Sequence, residues 1–257
     1  MSLVYLICTS PRSGSTLLCR GLAETGRAGA PAEYFDHREE SIAYWRYHFQ
    51  ISTKLEFLDG IVQKTSTPNG IFGTKVHWST QPDLRQALCN AMGTEISERR
   101  DRSLNDLLRE KFGAVRYIWL RRRNKVAQGI SHFRAARSYV WELPRTPSRL
   151  NGIRGDTVRF DFRAIDHCVS LAREYDRQWC VYFESNGLAP LQLVYEDFVA
   201  AYDETLRSVL EFLDVYHCDL PVTEPQLERM ADAKSLDWEK EYRDIENGRW
   251  IGSSPGR

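Results

Sequence analysis

No surplus of either charge sign marks this chain. Lys plus Arg and Asp plus Glu both number 35 among its 257 residues, which removes the uniformly basic field that non-specific nucleic-acid or membrane-surface binding draws on. Any anion it holds must be held locally. No apolar run approaches the roughly 20 residues that span a bilayer, and the first residues read as a core strand rather than as a signal peptide. The six cysteines (Cys8, Cys19, Cys89, Cys168, Cys180, Cys218) form no C-x-x-C pair and no zinc-like Cys/His spacing, so reduced thiols in a cytoplasmic protein are expected. The six histidines offer no pair at ligand spacing, and no repeat or low-complexity tract is visible. What remains, 42% hydrophobic and 27% charged, is an ordinary soluble globular chain, read as a single domain over 1–257.

Strand-like segments recur at 3–9, 70–76, 115–121 and 190–195, and helical stretches separate them at 15–25, 82–92, 102–111, 123–139, 164–185, 198–213 and 237–247. This alternation predicts an α/β fold with a central parallel sheet flanked by helices. Ligands of open α/β sheets sit beyond the carboxyl ends of the strands, so the loops after residues 9, 76 and 121 should converge. Two segments read as irregular and as lying on the acceptor side. Residues 36–69 mix aromatics with charges and close on the turn signal Thr67-Pro68-Asn69-Gly70; residues 142–160 read as a basic loop that could cover an anion or simply be solvated.

The densest signal is Leu3-Val4-Tyr5-Leu6-Ile7-Cys8-Thr9-Ser10-Pro11-Arg12-Ser13-Gly14-Ser15-Thr16-Leu17-Leu18, a strand emptying into a hydroxyl-rich turn with one cation and then a helix. Amides at the helix start, the helix dipole and the hydroxyls of Ser13, Ser15 and Thr16 can together cradle a phosphate or sulfate. The same hydroxyls could equally serve as helix caps. A Walker A loop would supply a Lys for the terminal phosphates of ATP or GTP; here Arg12 precedes the single glycine and no Lys follows. The loop suits a transferred group of lower charge, such as a sulfuryl group. Cys8 invites comparison with cysteine phosphatases, but only three residues separate it from Arg12 and it falls in the strand.

Other clusters carry weaker signals. Arg121-Arg122-Arg123 at a strand's carboxyl end is costly to assemble without an anion; one of the three is expected to contact phosphate and the other two to point into water, with Ser131 on the following helix in reach of the same anion. Lys234-Ser235-Leu236-Asp237-Trp238 could hold phosphate and stack on a base, or offer Asp237 as a helix cap and Trp238 as core filler. Glu33, expected just after the second strand of the sheet and between a Pro turn and two aromatics, would have its pKa raised and act as a proton acceptor, or be an ordinary surface carboxylate. Lys75, at the end of a buried strand, should meet an anion or a carboxylate. His77 and His132 lie near the presumed site and read as structural.

Taken together, Ser10 to Leu18, Gly29-Ala30-Pro31-Ala32-Glu33-Tyr34-Phe35, Thr67 to Lys75, Arg122 to Arg134 and Lys234 to Trp238 make the chain resemble the bacterial carbohydrate sulfotransferases typified by trehalose 2-sulfotransferase. The resemblance implies a P-loop-like sulfotransferase fold and 3′-phosphoadenosine 5′-phosphosulfate as donor, with no metal. It assigns Arg12, Ser13, Gly14, Ser15 and Thr16 to the phosphosulfate, and Arg122 or Arg123 with Ser131 to the 3′-phosphate. Lys234 and Ser235 would return to the nucleotide, and Glu33 would be the general base. The implied acceptor is a hydroxyl of a carbohydrate or glycolipid, attacked in line, and a homodimer fits the same resemblance. Ala30 stands where the trehalose enzyme has an acid, which puts trehalose itself in doubt. A small-molecule or nucleoside kinase and a non-catalytic nucleotide-binding protein are the alternatives.

Overall fold

Val4 to Thr9 are buried without a break, which is what a strand covered on both faces requires. In the computed structural model, which describes residues 3–36, 38–138, 158–215 and 232–248, this stretch is one of the two inner strands of a four-stranded parallel sheet. β1 (Leu3–Thr9) lies between β2 (Ile71–His77) and β3 (Val115–Arg121), with β4 (Leu191–Val194) outside β3. Side chains alternate between the faces. Val4, Leu6 and Cys8 enter one core with Phe72, Val76 and Trp119, and Tyr5 and Ile7 enter the other with Ile118 and Leu120.

The helices are α1 (Ser15–Glu24), α2 (Glu39–Phe49), α3 (Phe57–Thr65), α4 (Gln81–Ala91), α5 (Leu104–Phe112), α6 (Lys125–Ser138), α7 (Phe162–Ser185), α8 (Tyr195–Ala200), α9 (Tyr202–Phe212) and α10 (Ala233–Glu246). None is long and apolar enough to cross a membrane, among the described residues. Leu18 and Leu22 of α1 pack with Leu206, Val209 and Leu210 of α9 on one face of the sheet, and Leu84 and Leu88 of α4 with Leu104, Leu107 and Leu108 of α5 on the other. Two compact units emerge, residues 1–123 with 175–225, and residues 124–174 with 226–257. The second has its own core of Val126, Ile130, Phe133, Ile165, Trp238 and Tyr242.

Several expectations need correction. The 36–69 segment is not irregular: it holds α2 and α3. No residue of α2 is buried, so its outward aromatics mask the helical period. No strand precedes Glu33. Gly29 adopts φ 72° and Pro31 has no N–H to donate, so residues 29–33 follow β2 without joining the ladder. Ala32 O accepts from Lys75 N at 2.9 Å and from Thr74 Oγ1 at 3.2 Å. The helix expected at 198–213 is broken at Ala201 (φ −130°, ψ 59°) into α8 and α9. The N-cap of α10 is Asp232, which accepts from the Ser235 amide, and not Asp237, which is exposed. The 142–160 loop lies outside the described residues up to 157.

Candidate active site

After Thr9 the chain turns through residues 10–14 into α1, with Arg12 at φ 64° and Gly14 at φ 87°. Gly14 is required twice over: its backbone is left-handed, and a Cβ there would lie 2.2 Å from the Tyr195 ring. Arg12 has no such licence, and a side chain in this region costs ~1 kcal/mol, a strain typical of functional loops. Gly14 is also the N-cap of α1 and supplies no side-chain cap. The capping reading of the hydroxyls is therefore not what the structure contains. Ser13 is fully buried and hydrogen-bonded to the Thr9 hydroxyl, Thr9 Oγ1 donates to Leu120 O at 2.7 Å, and Trp179 Nε1 donates to Thr9 O at 2.9 Å. The turn is pinned from below, Ser15 is buried and Thr16 half-buried, and the first amides of α1 retain the partial positive charge that attracts anions. Cys8 is wholly buried, and burial pushes its thiol well above the ordinary value, which removes the phosphatase comparison.

The three arginines after β3 separate cleanly. Arg121 lies over the Trp119 ring at 4.7 Å and donates to Gln192 Oε1, so it packs on the sheet instead of pointing into water. Arg123 is 62% exposed and pairs with Asp197 at 2.7 Å. Arg122, only 15% exposed, turns to the loop: its guanidinium donates to Arg12 O at 3.3 Å and lies 4.8 Å over the Tyr195 ring, with Glu196 3.8 Å from Nε. Register explains the meeting, because Arg121 pairs with Val194 and both strands then release their next residue at the same edge. Tyr195 touches Gly14 and Arg122 together, a role invisible in the sequence because some 180 residues separate it from the loop.

Glu33 belongs to the same unit, and its partners stand at the same edge: Thr9 of β1 pairs with His77, and Ile7 with Lys75. Glu33 Oε1 lies 2.8 Å from His77 Nδ1, and Oε2 lies 3.2 Å from Lys75 Nζ. Lys75 thus meets the expected carboxylate. The expected rise in the Glu33 pKa is overturned. Burial pushes it up, but the hydrogen bonds and charges of His77 and Lys75 outweigh burial and hold the carboxyl well below its usual range. Which carboxylate Lys75 meets is not readable from residue order, and His77 is legible there only as a histidine near the site.

Ser131, Lys234 and Ser235 fall in the second unit. There Arg134, one turn beyond Ser131 on α6, grips Asp232 through two bonds of 2.6 and 2.8 Å and also donates to Ser235 Oγ. The Arg134 hydrogen bonds hold the Asp232 carboxyl well below its ordinary pKa despite partial burial. Lys234 Nζ stands 5.5 Å over Trp238, itself 6% exposed and part of the core. The core-filler reading of Trp238 is the one observed.

The chain as a whole is similar to known proteins. Trehalose 2-sulfotransferase of Mycolicibacterium smegmatis is 27% identical over 262 residues, covering 93% of this chain and 94% of that protein. The trehalose 2-sulfotransferase of Mycobacterium tuberculosis is 26% identical with the same coverage. Among solved structures, the sulfotransferase domain of the Synechococcus PCC 7002 olefin synthase aligns with 99% of this chain and 89% of its own, at TM-score 0.46 and 18% identity. The family model for Stf0 sulphotransferase matches residues 4–245, a span that takes in the loop, Glu33, the arginine block and α10 up to Ile245, and the chain therefore belongs to the Stf0 sulphotransferase family.

Proposed function

We propose that the protein moves a sulfuryl group from 3′-phosphoadenosine 5′-phosphosulfate to a hydroxyl of a carbohydrate or glycolipid, in the cytoplasm and without a metal. The observation that carries this reading is the meeting of Arg122 with the Arg12–Gly14 turn beside the uncapped start of α1, a cationic, amide-rich cradle with no Walker lysine. A Cβ at Gly14 would collide with the Tyr195 ring, so the glycine lets the turn pack against that ring beside Arg122. Arg12, Ser13, Gly14, Ser15 and Thr16 would hold the donor's phosphosulfate. Of the two arginines left open by the sequence, Arg122 is the better candidate for the 3′-phosphate, since Arg123 is spent on an exposed pair with Asp197. Ser131, Lys234 and Ser235 are assigned to the nucleotide on the family resemblance alone.

In the reaction the acceptor oxygen forms a bond to sulfur while the bond from sulfur to the bridging oxygen breaks, and the electron pair leaves on the nucleotide phosphate. Arg12 and the loop amides stabilise charge growing there, so positioning and electrostatics supply most of the acceleration. The ionised Glu33, the carboxylate base of this reading, draws off the acceptor's proton. Names of the two mycobacterial relatives support a sugar acceptor, and Ala30 argues against trehalose itself. Incubating the full chain with sulfur-labelled donor and a panel of mono- and disaccharides and glycolipids tests this. Labelled sulfate ester is expected on at least one acceptor; phosphate transfer from magnesium-ATP with no sulfate transfer would make the protein a kinase instead.

A further inference from the structure

Arg134 of α6 has no role in the reading above, yet it meets α10 at three points spaced three residues apart. Its two terminal nitrogens donate to the two oxygens of Asp232 at 2.6 and 2.8 Å, one of them also donates to Ser235 Oγ, and the guanidinium lies 5.8 Å over the Trp238 ring. Residues 232, 235 and 238 fall on one face of a helix start, so that face is turned to α6. Two parallel bonds from a planar fork fix an angle as well as a distance. Asp232 is also the N-cap of α10 and accepts from both the amide and the hydroxyl of Ser235 at 2.9 Å. Cap and ion pair use the same carboxylate, so the first turn of α10 cannot shift without breaking both. Lys234 belongs to that turn, its Nζ 5.5 Å over the same Trp238 ring. On α6, Ser131 lies one turn before Arg134, on the side that carries it. A carboxylate so close to Ser235 would oppose any phosphate bound there, and Arg134 offsets that charge. With Arg134 supplying two bonds to Asp232 and the Ser235 amide a third, the Ser235 hydroxyl can rotate its hydrogen outward without undoing the cap.

Resting on the sulfotransferase reading above, which gives Ser131, Lys234 and Ser235 to the nucleotide, we infer that Arg134 is a positioning residue for the donor's 3′-phosphate: through Asp232 it locks the first turn of α10 and so sets where Lys234 and Ser235 meet that phosphate. Arg134 itself touches no part of the donor. Plain electrostatics and this lock predict opposite effects at Asp232. Removing a carboxylate near a bound anion tightens the anion, whereas removing the partner of Arg134 releases the turn and loosens it.

Asp232→Asn decides between them, since the Asn side-chain oxygen still caps α10 but no longer offers Arg134 a charged pair of oxygens. Arg134→Lys is its counterpart, keeping the charge and losing the fork. Calorimetry on the full chain should find adenosine 3′,5′-bisphosphate bound about 10-fold more weakly by each variant, with the affinity for adenosine 5′-phosphosulfate, which lacks the 3′-phosphate, unchanged. A clamp that only stabilises the fold would lower the melting temperature and leave this selectivity as it is. A bisphosphate affinity at or above wild type in either variant, or equal losses for the two nucleotides, overturns the positioning role and leaves the sulfotransferase reading standing. A wild-type chain that binds neither nucleotide and transfers no sulfuryl group overturns both.

Discussion

Arg12 occupies a backbone region that disfavours every side chain, yet its guanidinium is what an anion loop needs, so stability and turnover should diverge at this position. Arg12→Ala is expected to slow sulfuryl transfer about 100-fold, the usual cost of one oxyanion-type donor. Arg12→Gly should lose activity to the same degree but resist urea better than Arg12→Ala by ~1 kcal/mol, because glycine alone relieves the left-handed strain. Equal denaturation midpoints for the two variants would contradict the strain argument. Glu33 yields a second residue-scale expectation. Its folded-state pKa lies below the unfolded carboxyl value, about 4.3, so its contribution to stability is full above that value and is lost as pH falls toward the folded-state pKa. The groups facing it are Lys75 and His77. Urea titrations at pH 7 and pH 3 should find the wild type more stable than Glu33→Gln at the higher pH, with the gap narrowed at the lower. A gap independent of pH would mean that the ion pair contributes nothing.

At the scale of elements, all four strands are legible: β1 as an apolar run buried from Val4 to Thr9, the others as mostly apolar, β-branched or aromatic segments interrupted by polar residues. Ile71–His77 differs from the expected 70–76 by one residue, and Val115–Arg121 not at all. α2 was missed because helical periodicity speaks only when one face is buried, and Tyr44 and Tyr47 are exposed. α3 does carry a helical signal, since Phe57, Leu58, Ile61 and Thr65 are its buried residues at helical spacing, but the charges around them obscure it. The Arg12–Thr16 loop and the loop end of Arg122 were readable from sequence order plus sheet topology. Tyr195, Trp179 and the pairing of Glu33 with His77 were not, because each depends on register between segments far apart in the chain. The support beneath the loop is testable. Trp179→Phe keeps the ring beside Trp78 and Phe183 but removes the donor to the buried Thr9 carbonyl, and should cost roughly 1–3 kcal/mol and weaken donor binding. A variant as stable as wild type would mean that water replaces the indole N–H.

Over the whole molecule, charge is balanced and specificity for an anion must come from how a few groups are placed. In the proposed reading those groups are Arg12, Arg122 and the start of α1 in the first unit; Glu33, His77 and Lys75 stand at the carboxyl edge of the same sheet. Ser131, Lys234 and Ser235 of the second unit are assigned to the nucleotide only in the proposed reading, and the family match runs from residue 4 to 245. The most direct test of the anion loop is calorimetric titration of the full chain with adenosine 3′,5′-bisphosphate in the presence of EDTA, beside a titration with magnesium-ATP. The account expects the bisphosphate to bind without a divalent ion, about 10-fold or more weaker in Arg12→Ala as one charge-assisted bond is lost, and to bind more tightly than magnesium-ATP. Tight magnesium-ATP binding with no heat from the bisphosphate would contradict it.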